Sequence, residues 1–153
     1  NAKNNYDIFN LTKKLILDII NACNIEEITS ILEERFKKDF GADESRLIFF
    51  TESNKNIPKG RVKNPVESAN KLADLMEPGE LFCGEVKQEI TKFIFNDEAP
   101  FKEVALIPLT SSSLKGMIAL GSSQKGKYTE NKDTLFLDFV CEVVSGLIDN
   151  QNS

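Results

Sequence analysis

The sequence predicts an α+β fold: an antiparallel sheet covered on one face by the terminal helices and on the other by the middle segment. Three observations carry this. The run Val104–Leu109 is apolar at every position and Gly116–Gly121 nearly so, which leaves neither strand a face for water. The link between them, Thr110–Lys115, is short enough to return the chain as an antiparallel hairpin. Long amphipathic patterns stand near both ends of the sequence, where they supply one covering layer.

Composition bounds the function classes. With 153 residues, 41% hydrophobic and 28% charged, the chain reads as one domain that buries roughly two thirds of its unfolded surface. Nineteen basic against 24 acidic residues give a net charge of −5, a field that repels a phosphate backbone, so nucleic acid is not an expected partner. The three cysteines, Cys23, Cys83 and Cys141, have no paired spacing and follow no secretory segment, which reads as reduced thiols in a cytoplasm. No apolar run approaches the ~20 residues that cross a bilayer, because Asp138 and Glu142 interrupt the longest, and no membrane partner is expected. Histidine is absent, which removes a Ser-His-Asp triad, a Cys-His dyad, a histidine haem ligand and histidine-containing zinc sites together.

In chain order, Asn1–Ala2 stand where an initiator methionine is expected, so residues 1–5 read as a tag remnant or disordered start. From Tyr6 to Cys23, Ile8, Leu11, Leu15 and Ile19 lie at helical spacing beside Ile16, Ile20 and Cys23. So wide a face reads either as a core-facing stripe or as one side for a core and the other for a second chain. Asn24 caps a second helix with Glu27 at its third position, Ile28, Ile31, Leu32 and Phe36 line it, and Gly41 takes the left-handed stop. Residues 6–40 thus form the N-terminal helices and 41–150 the remaining domain. Arg46–Phe50 reads as a strand and Thr51–Pro65, with two prolines, a glycine and no period, as a loop. Asn64 and Pro65 open a third helix that ends at Pro78–Gly79. Leu81–Phe95 passes from an extended start into a helix carrying Val86, Ile90, Phe93 and Ile94 on one side. In the hairpin, Pro108 has no amide to donate and belongs at an edge or bulge. Gly116, Ala119 and Gly121 leave room above the second strand for close helix packing or a ligand. Asn131–Asp149 repeats the helical period through Leu135, Phe136, Phe139, Val140, Val143, Val144 and Leu147.

The segments Phe82–Val86, Phe101–Leu109 and Lys115–Leu147 resemble a GAF-like bacterial family, domain-of-unknown-function family 484, within the GAF superfamily. The matching features are Cys83-Gly84 opening a helix, Ala105-Leu106-Ile107-Pro108-Leu109, Gly116, and Ala119-Leu120-Gly121-Ser122. Tyr128 and Thr134 ahead of Phe136-Leu137 complete the series, which spans Phe40 to Leu147. Glu103 departs from the serine that usually precedes the Val-Ala strand. The resemblance implies a GAF-like fold with a central antiparallel sheet of five or six strands, N- and C-terminal helices on one face, and a small-molecule pocket under the middle helices and loops. It also implies a sensory or regulatory role and dimerisation through the terminal helices. The strands not evident from the residues are then expected within Thr51–Val62 or around Leu81.

Ligand signatures of GAF relatives do not transfer. The cyclic-nucleotide pattern of Asn-Lys, Phe and Asp-Glu finds Asn131-Lys132 and Phe136 but then Val140-Cys141. Bilin and haem members rely on histidine. A free methionine sulfoxide reductase-like enzyme, the alternative activity, uses several pocket cysteines, and Cys83 and Cys141 lack a recognisable spacing for it. Ser112 and Lys115 form a Ser-x-x-Lys spacing that a hairpin turn explains without catalysis, and Asp97-Glu98 reads as a solvated loop pair. Cys83 reads either as a thiol lowered by a helix N-terminus or as a small core residue.

The expected function is therefore a non-catalytic sensory domain, not an enzyme, whose small-molecule ligand and cofactor are unknown. The expected ligand-binding residues are Phe49, Phe82, Cys83, Phe93, Ile107, Leu109 and Ser122. Polar selection comes from Ser122 or from the basic loop of Lys55, Lys59, Arg61 and Lys63. The competing reading is a structural adaptor with a closed pocket that dimerises and docks proteins.

Overall fold

Helix caps form where the sequence signals them, but the third helix ends at Leu72, short of the Pro78–Gly79 stop expected, and residues 73–75 continue as a turn. The computed structural model describes residues 2–52, 56–96, 101–128 and 134–151, with the side chains of 2–6, 134 and 135 left aside. Asp97-Glu98, Lys55 and Asn131-Lys132 lie outside the described residues. Helix α1 (Ala2–Ile20) starts ahead of the Tyr6 expected, and α2 (Ile25–Lys38) follows. The α2 cap is reciprocal: Asn24 Oδ1 accepts from Glu27 N–H at 2.8 Å, while Glu27 reaches back to accept from Cys23 N–H at 2.8 Å. Gly41, at φ +74°, supplies the left-handed stop.

Five strands follow: β1 (Glu44–Phe50), β2 (Val62–Lys63), β3 (Phe82–Gly84), β4 (Glu103–Pro108) and β5 (Gly116–Ser122). Helix α3 (Pro65–Leu72) lies between β2 and β3, α4 (Gln88–Phe95) between β3 and β4, and α5 (Thr134–Gln151) after β5. The sheet order is β2-β1-β5-β4-β3. The β4–β5 hairpin is antiparallel, with Pro108 opposite Met117 and Glu103 opposite Ser122.

Leu109 donates to Gly116 O at 2.9 Å, so by alternation the Pro108 nitrogen faces the β3 side, where pairing stops at Phe82–Leu106. The missing donor costs no ladder bond there. Two short strands complete the sheet from the segments expected to hold them. One of them, β2, pairs parallel with β1, Phe49 opposite Val62, because the chain crosses over between them instead of turning back. A correction concerns Cys83-Gly84, which lies in β3 rather than opening a helix. The free edge of β4 offers it ladder partners at Ala105 and Val104, and α4 starts only at Gln88.

Strand parity divides the core into two layers. Leu47, Phe49, Ala105, Ile107, Ile118 and Leu120 pack under α1, α2 and α5 with Leu15, Phe36, Leu137 and Val144. Ile48, Val104, Leu106, Met117 and Ala119 face the middle segment with Leu72, Ile94 and Phe95. The space over the hairpin glycines is already taken. A Cβ at Gly116 would stand 2.4 Å from Ile48 O, and one at Gly121 would stand 2.8 Å from the Phe101 ring.

Candidate functional site

On the middle-segment face, α3 and the Ala73–Gly79 turn stand off the turn end of the β4–β5 hairpin and leave a cavity of about 660 Å³. Phe50, Leu72, Met76, Pro108, Leu109 and Met117 make it predominantly apolar, and Glu77, Thr110 and Lys115 supply polar groups. Two further hydroxyls at the wall are already engaged: Ser68 donates to Asn64 O at 2.7 Å and Ser111 to Asp149 Oδ1 at 2.7 Å. Asn64 caps α3 by accepting from Val66 and Glu67 N–H, which sets where this wall begins.

The hairpin loop is bound to the last turns of α5. Asp149 Oδ1 accepts from Ser113 N–H at 2.9 Å and Ser113 Oγ at 2.6 Å, and its two oxygens share Ser112 N–H at 3.1 and 3.2 Å. One turn earlier, Ser145 Oγ accepts from Thr110 N–H at 2.9 Å while donating to Cys141 O at 2.7 Å. The serine hydroxyls and loop amides hold the Asp149 carboxyl well below the usual carboxylate range. Thr110, Ser111 and Lys115 therefore belong at once to the cavity wall and to a loop tied to α5.

Of the expected ligand-binding residues, Leu109 borders this cavity at the hairpin turn while packing against the terminal-helix layer, and Phe82 borders an adjoining hollow of about 270 Å³ under Ala73–Leu81. Phe49 and Ile107 are buried under the terminal helices, on the other side of the sheet. Cys83 also packs toward that layer, and burial, with the Glu103 carboxylate adding to it, pushes its thiol up to about 11. Ser122 is buried on the same face by parity with Ile118 and Leu120, and its Oγ accepts from Gln124 N–H at 3.0 Å. Phe93 lies on the middle-segment face beneath two ammonium groups, Lys63 at 5.2 Å and Lys71 at 5.6 Å from its ring centre.

Two residues of the basic loop are engaged elsewhere. Arg61 donates twice to Glu33 at 2.7 Å, and Lys63 donates to Asn96 Oδ1 at 2.9 Å. The groove beside it, formed by Glu33, Lys37, Glu44, Arg46 and Arg61, is internally charge-compensated. Phe50, Leu72, Met76, Met117 and Lys115 are not among the ligand-binding residues expected from sequence. Period-2 alternation from Phe49 to Phe50 is the signal that would have moved the choice by one residue.

Thiol chemistry has little support. Burial pushes Cys141 up to about 12, its Sγ lies 3.2 Å from Pro108 O, and Glu27 raises the thiol of exposed Cys23. Cys83 and Cys141, the thiols expected to carry such an activity, are thus held protonated at neutral pH, the reverse of what exchange chemistry needs. Among the described residues no cluster of potential metal ligands occurs, and no helix is long and apolar enough to cross a membrane.

A family model described as "Protein of unknown function, DUF484" matches residues 1–152. No curated protein matches the chain. Among solved structures, it is similar to the GAF domain of an Acinetobacter phosphoenolpyruvate-protein phosphotransferase, with a TM-score of 0.66 and 13% identity over 93% of this chain and 92% of that one. The corresponding GAF domain from Coxiella burnetii gives 0.66 and 12% identity over 95% and 94%. The Stigmatella aurantiaca phytochrome photosensory core gives 0.68 and 12% identity over 98% of this chain but 38% of that one. These likenesses show a GAF fold.

Proposed function

The chain belongs to the DUF484 family and folds as a GAF domain, and from that premise we propose that it is a non-catalytic sensory module. A small molecule occupies the cavity between α3 and the β4–β5 hairpin and biases the terminal helices. The observation that carries this reading is the shared loop. Thr110 and Ser111 line the cavity, while Thr110, Ser111, Ser112 and Ser113 hydrogen-bond Ser145 or Asp149 on α5. A ligand that moves the hairpin end by the length of a hydrogen bond therefore changes which α5 geometry is favoured, and differential contact is what a population shift requires. The phytochrome and phosphotransferase neighbours support a regulatory role at the level of fold. The terminal helices act in a dimer through the exposed apolar residues of α1 and α5.

The test is a thermal-shift screen of metabolites against the intact protein, followed by hydrogen exchange on residues 140–151 with any stabilising compound. A ligand at 100 times its Kd stabilises by about 2.7 kcal/mol, roughly 5–10 °C for a domain of this size. A stabilising compound is expected to alter exchange in α5. Binding that leaves α5 exchange unchanged removes the sensory reading, and a screen with no stabilising compound favours the adaptor.

A further inference from the structure

Resting on that sensory reading, we propose that the cavity selects an amphiphile: an apolar body carrying one anionic group that meets Lys115. The wall chemistry leaves few other options. Phe50, Leu72, Met76, Pro108 and Met117 offer no polar side-chain atom except thioether sulfur, so the ligand body is hydrocarbon or aromatic. Two methionines let the wall adapt to chain length and shape. The hydroxyls of Ser68 and Ser111 already donate, to Asn64 O and Asp149 respectively, so neither is a ready donor toward a ligand. That leaves Thr110, Glu77 and Lys115. Lys115 is exposed, and among the described residues no carboxylate lies within ion-pair distance of it. Its main-chain carbonyl accepts from Phe50 N–H at 2.8 Å, which fixes the residue beside the apolar floor while the ammonium stays available. Glu77 lines the same cavity and opposes an anion, so the two groups give opposite signs to a test.

The probe is N-phenyl-1-naphthylamine, an uncharged fluorophore, with decanoate and decan-1-ol as competitors against the intact protein at neutral pH. An exposed ion pair contributes a factor of roughly two to five in affinity. Lys115→Gln is expected to weaken decanoate by that factor and leave decan-1-ol unchanged, and Glu77→Gln is expected to tighten decanoate. Equal changes for the two competitors in Lys115→Gln, or weaker decanoate binding in Glu77→Gln, overturn the ligand class. Ala69→Trp, a substitution at an exposed wall position, separates the two claims. If it abolishes fluorophore binding with circular dichroism intact, the cavity is the site and only the selectivity is in question. If binding persists, the fluorophore sits elsewhere and the proposal falls with the cavity.

Discussion

Gly116 is the residue at which the hairpin has least freedom. A methyl group there would meet Ile48 O at 2.4 Å, a main-chain atom held in the β1–β5 ladder, with Leu109 and Phe49 closing the other sides. Because a backbone carbonyl cannot swing aside as a side chain does, Gly116→Ala should cost about 3 kcal/mol, read as a lower denaturation midpoint at unchanged slope. A change below 0.5 kcal/mol would mean that the strands are not this close. The thiols give a second check at the same scale. Cys23 is exposed, whereas Cys83 and Cys141 are held protonated by burial, to about 11 and about 12. Titration of native protein with a disulfide reagent should consume one thiol rapidly and two only on unfolding. Rapid reaction of Cys83 would restore the case for a cysteine enzyme.

At the scale of elements, the tie between the hairpin loop and α5 is an acid-sensitive contact whose sign follows from its donors. Hydroxyls and amides stabilise the ionised Asp149, so its pKa is lower folded than unfolded and the folded state binds fewer protons. Its contribution is present above the ordinary carboxylate pKa and fades as pH falls below it. The stability difference between parent and Asp149→Asn should therefore be constant from neutral pH to about pH 5 and shrink below, with faster hydrogen exchange at 110–114 in the variant. A pH-independent difference would show that the carboxylate charge does not hold the loop. None of this pairing is legible in sequence, since Ser112 and Asp149 are 37 residues apart and meet only through the packing of α5 on the sheet. The same boundary explains the site. Helices were legible because caps and period are local, and the hairpin because two apolar runs flank a short link. All-apolar runs such as Val104–Leu109 and Leu47–Phe50 satisfy both layers at once and carry no mark of parity, which is why sequence alone does not place Ile107 and Phe49 in the terminal-helix layer, across the sheet from the cavity. The strands β2 and β3, of two and three residues, are too short to alternate visibly and exist because neighbouring edges offer pairing.

For the whole molecule, the unsettled surface is the outer side of the terminal helices. The core face of α1 carries Leu15 and Ile19 at 0% exposure, yet Phe9, Leu17 and Ile20 are 65%, 51% and 51% exposed on the same helix. On α5, Phe139 is 50% exposed, and Val143 and Leu147, four and eight residues on, are only partly covered. These positions stand beside the buried ones at helical spacing, with exposed Lys13 between Phe9 and Leu17, so α1 and α5 each carry an apolar strip wider than isolated surface residues would give. A second copy offers the same stripes, and an isologous four-helix contact would bury both at once. A stable interface needs roughly 800 Å² from each partner, an area within reach of two helices of 19 and 18 residues. Sedimentation velocity at micromolar concentration should therefore return a dimer. Leu17→Glu combined with Phe139→Glu should return a folded monomer, because each replaces exposed apolar surface with a charge and leaves the core face untouched. A parent protein that sediments as a monomer across this range would remove the dimer from the proposed mechanism and leave α5 to act on an attached segment or another protein.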